Sequence, residues 1–184
     1  MKEILSIFED CPVIAAVKDR NVSCAISSPA SIIFDLGANI NTVKASIDLA
    51  HENGKKIFVH IDLAEGIGKD KYGISYLHSL GVDGIISTRG NLIKAAKEMS
   101  LITVKRVFTL DSQGVVSAMT DIDDPSTDIV EIMPGVIPKI IERFFLSGKP
   151  IIAGGLIETK SEITAALGSG AVAVSTGKKE LWYL

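Results

Sequence analysis

The chain has 184 residues, 47% of them hydrophobic, and a formal net charge of −3, which is enough apolar material for one domain with a sizeable core. That balance argues against a protein whose whole surface grips nucleic acid, since such affinity is mostly phosphate neutralisation, and it leaves room for a local basic patch. No apolar run approaches the roughly 20 residues of a membrane span, and the N-terminal stretch MKEILSIFEDC has acidic residues where a signal peptide is apolar, so a cytoplasmic protein with no membrane partner is expected.

Ile4, Leu5 and Phe8 share one side of a short helix over 3–10, suited to closing a barrel floor, and Pro12 then opens a first strand, Val13–Val17. The polar segment Asp19–Pro29 lacks periodicity and fits a loop with one or two helical turns. Ser31–Leu36 read as the second strand. Asn41 can cap a helix carrying Val43, Ile47 and Ala50 and closed by Gly54. A third strand, Ile57–Leu63, precedes a helix over Lys71–Leu80, and a fourth, Gly84–Ser87, precedes one marked by Leu92, Ala96 and Met99. After a fifth strand, Ile102–Phe108, Asp111 and Ser112 can cap a weak helix over Gln113–Met119, where Gly114 and two valines lower the propensity. The run Asp121, Asp123 and Asp124 lacks the glycine and distal glutamate of a calcium loop and reads as solvated.

The sixth strand, Ile129–Met133, leads into a helix with Pro138 in its first turn and Ile137, Ile140, Ile141, Phe144 and Phe145 as apolar residues. Ile151–Ala153 form the seventh strand. Thr159 and Glu162 then have the spacing of a capping box, and Ile163, Ala166 and Leu167 give the helix they open an apolar face. Ala171–Val174 make the eighth strand, and residues 178–184 have room for little more than a turn. Eight strands alternating with helical segments predict an α/β fold, a small single-domain (β/α)8 TIM barrel over residues 1–184.

Alternation along the strands sorts the polar residues. Phe58, His60 and Asp62 fall on the inward parity of the third strand, and the same reasoning sends Lys18, Arg106 and Glu131 into the mouth, where barrel proteins place their sites. Arg106 and Glu131 lie on adjacent strands and can pair, and Lys18 with Asp62 can neutralise each other. Gly154, Gly155, Ser175, Thr176 and Gly177 end the last two strands in small residues, where backbone N–H groups can converge on an anion. The residue chemistry therefore predicts a small anionic, phosphorylated ligand. It does not define a reaction, and an isomerase or epimerase of a small phosphorylated metabolite stays open, with Asp62 or Glu131 as base. No metal is expected, because His60 and Asp62 have no third partner at ligand spacing and His51 and His78 fall on helices. Cys11 and Cys24 read as structural thiols.

The blocks HIDLAEGI (60–67), GIISTRGNLI (84–93), KRVFTLDS (105–112), EIMPGVIP (131–138), AGGLI (153–157) and AVAVST (171–176), with Leu181 and Trp182, are collinear along the chain. In these the sequence resembles the glycerol-3-phosphate-responsive antiterminators. The resemblance implies a bacterial regulator rather than an enzyme, one that binds glycerol 3-phosphate, uses no cofactor, and acts on leader mRNA of glycerol-uptake genes to prevent early termination. It places Lys18, Asp19, Asp62, Ser87, Thr88, Arg89, Arg106, Asp111, Glu131, Pro134, Gly135, Gly154, Gly155, Ser175 and Thr176 in family motifs. Glycerol hydroxyls would then meet Asp62 or Glu131. Candidate RNA-contacting cations are Arg89 with Lys94 and Lys97, and Lys139 with Arg143; Lys69 with Lys71 and Lys178 with Lys179 are further basic pairs. A homo-oligomer is left open.

Overall fold

Alternating apolar residues build eight parallel strands that close on themselves in chain order: β1 (Val13–Val17), β2 (Ile32–Asp35), β3 (Lys56–His60), β4 (Gly84–Ser87), β5 (Ile102–Phe108), β6 (Ile129–Met133), β7 (Ile151–Gly154) and β8 (Ala173–Thr176). The computed structural model describes residues 2–18 and 22–184, with Glu3 and Asp121 described by backbone alone, and it is the TIM barrel expected from the sequence. Helix α1 (Lys2–Asp10) precedes β1, and between the strands run α2 (Ser23–Ile26), α3 (Val43–Glu52), α4 (Lys71–Ser79), α5 (Gly90–Glu98), α6 (Ser112–Ile122), α7 (Pro138–Phe145) and α8 (Lys160–Gly168).

The two-residue period separates two cores. Ile14, Phe34, Phe58, Ile86, Val104, Ile152 and Ala173 fill the barrel, and Ile4 and Phe8 of α1 join them, so that α1 closes the floor. Ala15, Ile33, Ile57, Val59, Ile85, Val130 and Val174 point the other way, into the layer of helices. Phe34 and Phe58 stack with centroids 5.7 Å apart at the centre. A filled barrel leaves only its C-terminal mouth for polar side chains.

Several boundaries differ from the sequence reading. β3 stops at His60, because Ile61–Leu63 turn into a 3-10 helix, and strand parity therefore fails for Asp62. β8 starts later and runs through Thr176, since pairing with β7 sets Ala173 opposite Ile152 and Ser175 opposite Gly154. Ser175 and Thr176 are thus strand residues. α3 takes Thr42, not Asn41, as its N-cap; the Asn41 amide instead donates to the Asn39 side chain at 3.0 Å. α6 extends to Ile122, because Val115, Ala118 and Ile122 form a buried stripe that offsets its weak propensity. Asp121 accordingly lies in a helix, and the solvated turn begins at Asp123. Among its described residues the segment after β1 holds one helical turn, α2; Asp19, Arg20 and Asn21 lie outside the described residues. Thr159 and Glu162 form the capping box that opens α8.

Candidate ligand-binding site

Inward parity on β5 and β6 brings Arg106 opposite Glu131 in the sheet register. Arg106 Nε donates to Glu131 Oε2 at 2.6 Å, and Ser175 Oγ from β8 donates to Glu131 Oε1 at 2.6 Å. All three residues are buried. A buried carboxylate with an ion-pair partner on one oxygen and a hydroxyl on the other is a satisfied group, where an unpaired one would be strongly unfavourable.

Gly154 is where this network requires a glycine. A β-carbon there would sit 2.5 Å from Glu131 Oε1 and 2.7 Å from Ser175 Oγ. Gly135, after β6, approaches just as closely, with its N–H donating to the Gly154 carbonyl at 2.6 Å and any β-carbon falling 2.6 Å from Gly154 N. The β6, β7 and β8 ends are therefore locked into one unit.

Above this unit lies a cavity of about 490 Å³, lined by Ala16 and Val17 of β1 with Lys18 just after it, by Leu36 just after β2, from β5 and β6 by Arg106, Glu131 and Met133, and by Gly155–Glu158 and Ser175–Lys179 with Trp182. Among the described residues, four cations and two carboxylates line it. Glu131 is paired with Arg106, and Glu158 lies 3.4 Å from Lys178 at the rim. The rim backbone turns sharply: Gly155 (φ +75°) and Leu156 (φ +59°) are both left-handed, a conformation uncommon for a non-glycine residue such as Leu156. Thr176 serves the frame, since its hydroxyl donates to Ile157 O at 2.8 Å and accepts from Lys178 N at 3.1 Å, while its carbonyl accepts from Trp182 Nε1 at 2.8 Å.

Of the residues singled out from sequence, Lys18, Arg106, Glu131, Gly155, Ser175, Thr176 and Gly177 line this cavity, and Gly154 lies beneath it. His60 and Asp62 do not line it. From its 3-10 turn Asp62 organises the start of α5, accepting from Ser87 Oγ at 2.9 Å, Thr88 N at 2.7 Å and Thr88 Oγ1 at 3.0 Å, with Arg89 Nε at 3.5 Å. Burial alone would raise its pKa, but the Thr88 amide and the Ser87 and Thr88 hydroxyls hold the carboxyl below its usual range. The Lys18–Asp62 pair does not form, because Asp62 turns toward this loop while Lys18 lies exposed at the cavity edge.

His60 is 3% exposed, and its Nδ1 is the one buried side-chain polar atom without a hydrogen bond among the described residues, 3.9 Å from Asp62 Oδ2. Burial, with the charge of Arg106 second, pushes its pKa down to about 4, so the ring is neutral at pH 7. Leu156, Glu158, Lys179 and Trp182 are cavity residues that the sequence reading did not assign to a ligand; Lys178 and Lys179 were visible there only as a basic pair. Among the RNA candidates, Lys97 pairs with Asp128 at 2.6 Å and Arg89 lies against Asp62. Lys94, Lys139 and Arg143 are exposed.

Known proteins place the chain in a family. It is 33% identical to the uncharacterized protein YgcP of Escherichia coli K12, over 98% of this chain and 96% of that protein. Among solved structures it resembles the glycerol uptake operon antiterminator regulatory protein of Listeria monocytogenes, with a TM-score of 0.86 and 32% identity over 94% of this chain and 95% of that one. It also resembles a glycerol uptake operon antiterminator-related protein of Thermotoga maritima, with a TM-score of 0.83 and 31% identity over 92% and 96% of the two chains. Residues 13–182 match the family model, and the chain belongs to the glycerol-3-phosphate responsive antiterminator family.

Proposed function

We propose that the protein is a regulator that senses glycerol 3-phosphate in the barrel mouth and, when loaded, binds leader RNA and prevents termination of transcription. The observation that carries the ligand half is the charge of the mouth cavity. Four cations against two carboxylates among the described lining residues suit a phosphate monoester, which is close to a dianion at neutral pH. Arg106, held in place by Glu131, supplies a buried cation, and Lys18, Lys178 and Lys179 bring further positive charge to the cavity lining.

Binding rather than catalysis fits the acid–base inventory. Both Glu131 oxygens are engaged by Arg106 and Ser175, and Asp62 is taken up by Ser87 and Thr88. Neither carboxylate is poised to take a proton from a substrate. A population shift then supplies the switch: ligand stabilises the arrangement of the βα loops that binds RNA better.

Calorimetry with glycerol 3-phosphate, glycerol and inorganic phosphate tests the ligand. Glycerol 3-phosphate should bind at least about tenfold more tightly than either fragment, each lacking half of the contacts. Equal affinity for inorganic phosphate would reduce the cavity to a phosphate site, and no binding would remove the sensing role.

A further inference from the structure

Helix α7 presents Lys139 and Arg143, one turn apart, to solvent. Neither forms an ion pair among the described residues, in contrast to Lys44, Lys97 and Lys178, whose charges are taken up by Asp48, Asp128 and Glu158. Both cations border a recess of about 640 Å³ between α7 and α8, which Glu142 alone lines as a carboxylate, and both also border a groove of about 510 Å³ on the α6 side of the same helix. At the recess edge Phe145 is 55% exposed and packs closely against Gly170, where a β-carbon would approach Phe145 Cδ2 to 2.7 Å. An aromatic side chain packed closely against a glycine, beside two cations that have no ion pair among the described residues, is a combination suited to single-stranded nucleic acid: stacking for a base and charge for the flanking phosphates.

We infer that the exposed face of α7 is the RNA-contacting surface, taking single-stranded RNA with a base stacked on Phe145 and phosphates on Lys139 and Arg143; this rests on the antiterminator reading above. The face is tied to the mouth. α7 follows the β6 loop, whose Gly135 N–H bonds the carbonyls of Gly154 at 2.6 Å and Gly155 at 3.2 Å, and Gly155 and Met133 line the ligand cavity. Ligand-dependent movement of the β7 loop therefore reaches the first turn of α7 through two hydrogen bonds.

A pool of RNA transcribed from sheared bacterial genomic DNA, passed over the intact protein saturated with glycerol 3-phosphate, supplies the probe. Against retained RNA, Lys139→Glu with Arg143→Glu should weaken binding by on the order of 100-fold at about 0.1 M salt and flatten the salt dependence. Phe145→Ala should weaken it about tenfold. Lys69→Glu with Lys71→Glu, the same charge change around the start of α4, should stay within roughly twofold. Calorimetry with glycerol 3-phosphate checks that each variant is folded, and Lys139→Gln with Arg143→Gln replaces the glutamate pair if that pair unfolds the protein. RNA affinity unaffected by the α7 changes, or lost with the α4 pair instead, overturns the surface. So does a loss of self-association in sedimentation without a loss of RNA affinity, which would make the face a contact between copies. Retention of no RNA by the loaded wild-type protein fails the antiterminator reading itself, and the surface with it.

Discussion

Arg106 Nε and Glu131 Oε2 meet at 2.6 Å on the floor of the barrel mouth, both residues buried and facing each other across adjacent strands. Removing either partner leaves the other as an isolated buried charge. Arg106→Ala should therefore destabilise the fold by about 3–5 kcal/mol, and glycerol 3-phosphate binding should fall below detection. Replacing both residues with Met and Leu should recover most of the stability and none of the binding. Urea titration and calorimetry read the two effects separately; unaltered affinity in either variant would take Arg106 out of the site.

Gly154→Ala adds a methyl group where Glu131 Oε1 and Ser175 Oγ already lie. Since the barrel strands cannot move apart cheaply, the expected cost is about 1–3 kcal/mol, with a matching loss of ligand affinity as the Glu131 carboxylate is displaced. Wild-type thermal stability and affinity in this variant would mean that the three-residue network does not set the shape of the cavity.

His60 gives the fold a pH dependence. Its pKa falls from an ordinary 6.5 to about 4 on folding, so between these values the unfolded chain binds more protons. Stability is then full above about pH 6.5 and declines as pH drops toward 4, by about 3 kcal/mol in all. Asp62, with its pKa held below 3.8, acts only at still lower pH. His60→Asn should flatten the curve between pH 6.5 and 4.5 in urea titrations; a variant with the wild-type slope would assign the dependence to other groups.

Asp62→Asn should loosen the loop before α5 without touching the cavity. It exchanges a charged acceptor of three hydrogen bonds for a weaker one, a change of about 1–2 kcal/mol. Amide exchange at Thr88 should speed up correspondingly while the affinity for glycerol 3-phosphate stays within roughly twofold. A large loss of affinity would bring Asp62 back into the ligand site.

The barrel was legible because each strand is a short apolar run with a two-residue period, bounded by glycine or proline. Parity alone pointed Arg106 and Glu131 at each other, which holds because both stay inside regular strand. The same rule misled for Asp62, where the chain leaves the strand one residue after His60. Glycine density at 154–155 and 168–177 marked the right corner of the barrel, yet gave no hint that Thr176 is absorbed by Ile157, Lys178 and Trp182. Nor does any local pattern show that Lys97 is neutralised by Asp128, 31 positions on, while Lys139 and Arg143 have no ion pair among the described residues. Such pairings are set by tertiary packing and have no sequence period.

The coupling of ligand to RNA is tested most directly by one titration: labelled RNA retained by the loaded protein, bound to wild-type protein with and without saturating glycerol 3-phosphate at a single salt concentration. Ligand-dependent switching predicts affinity at least about tenfold tighter with ligand, a coupling of about 1.4 kcal/mol or more. Equal affinity in the two titrations would contradict it.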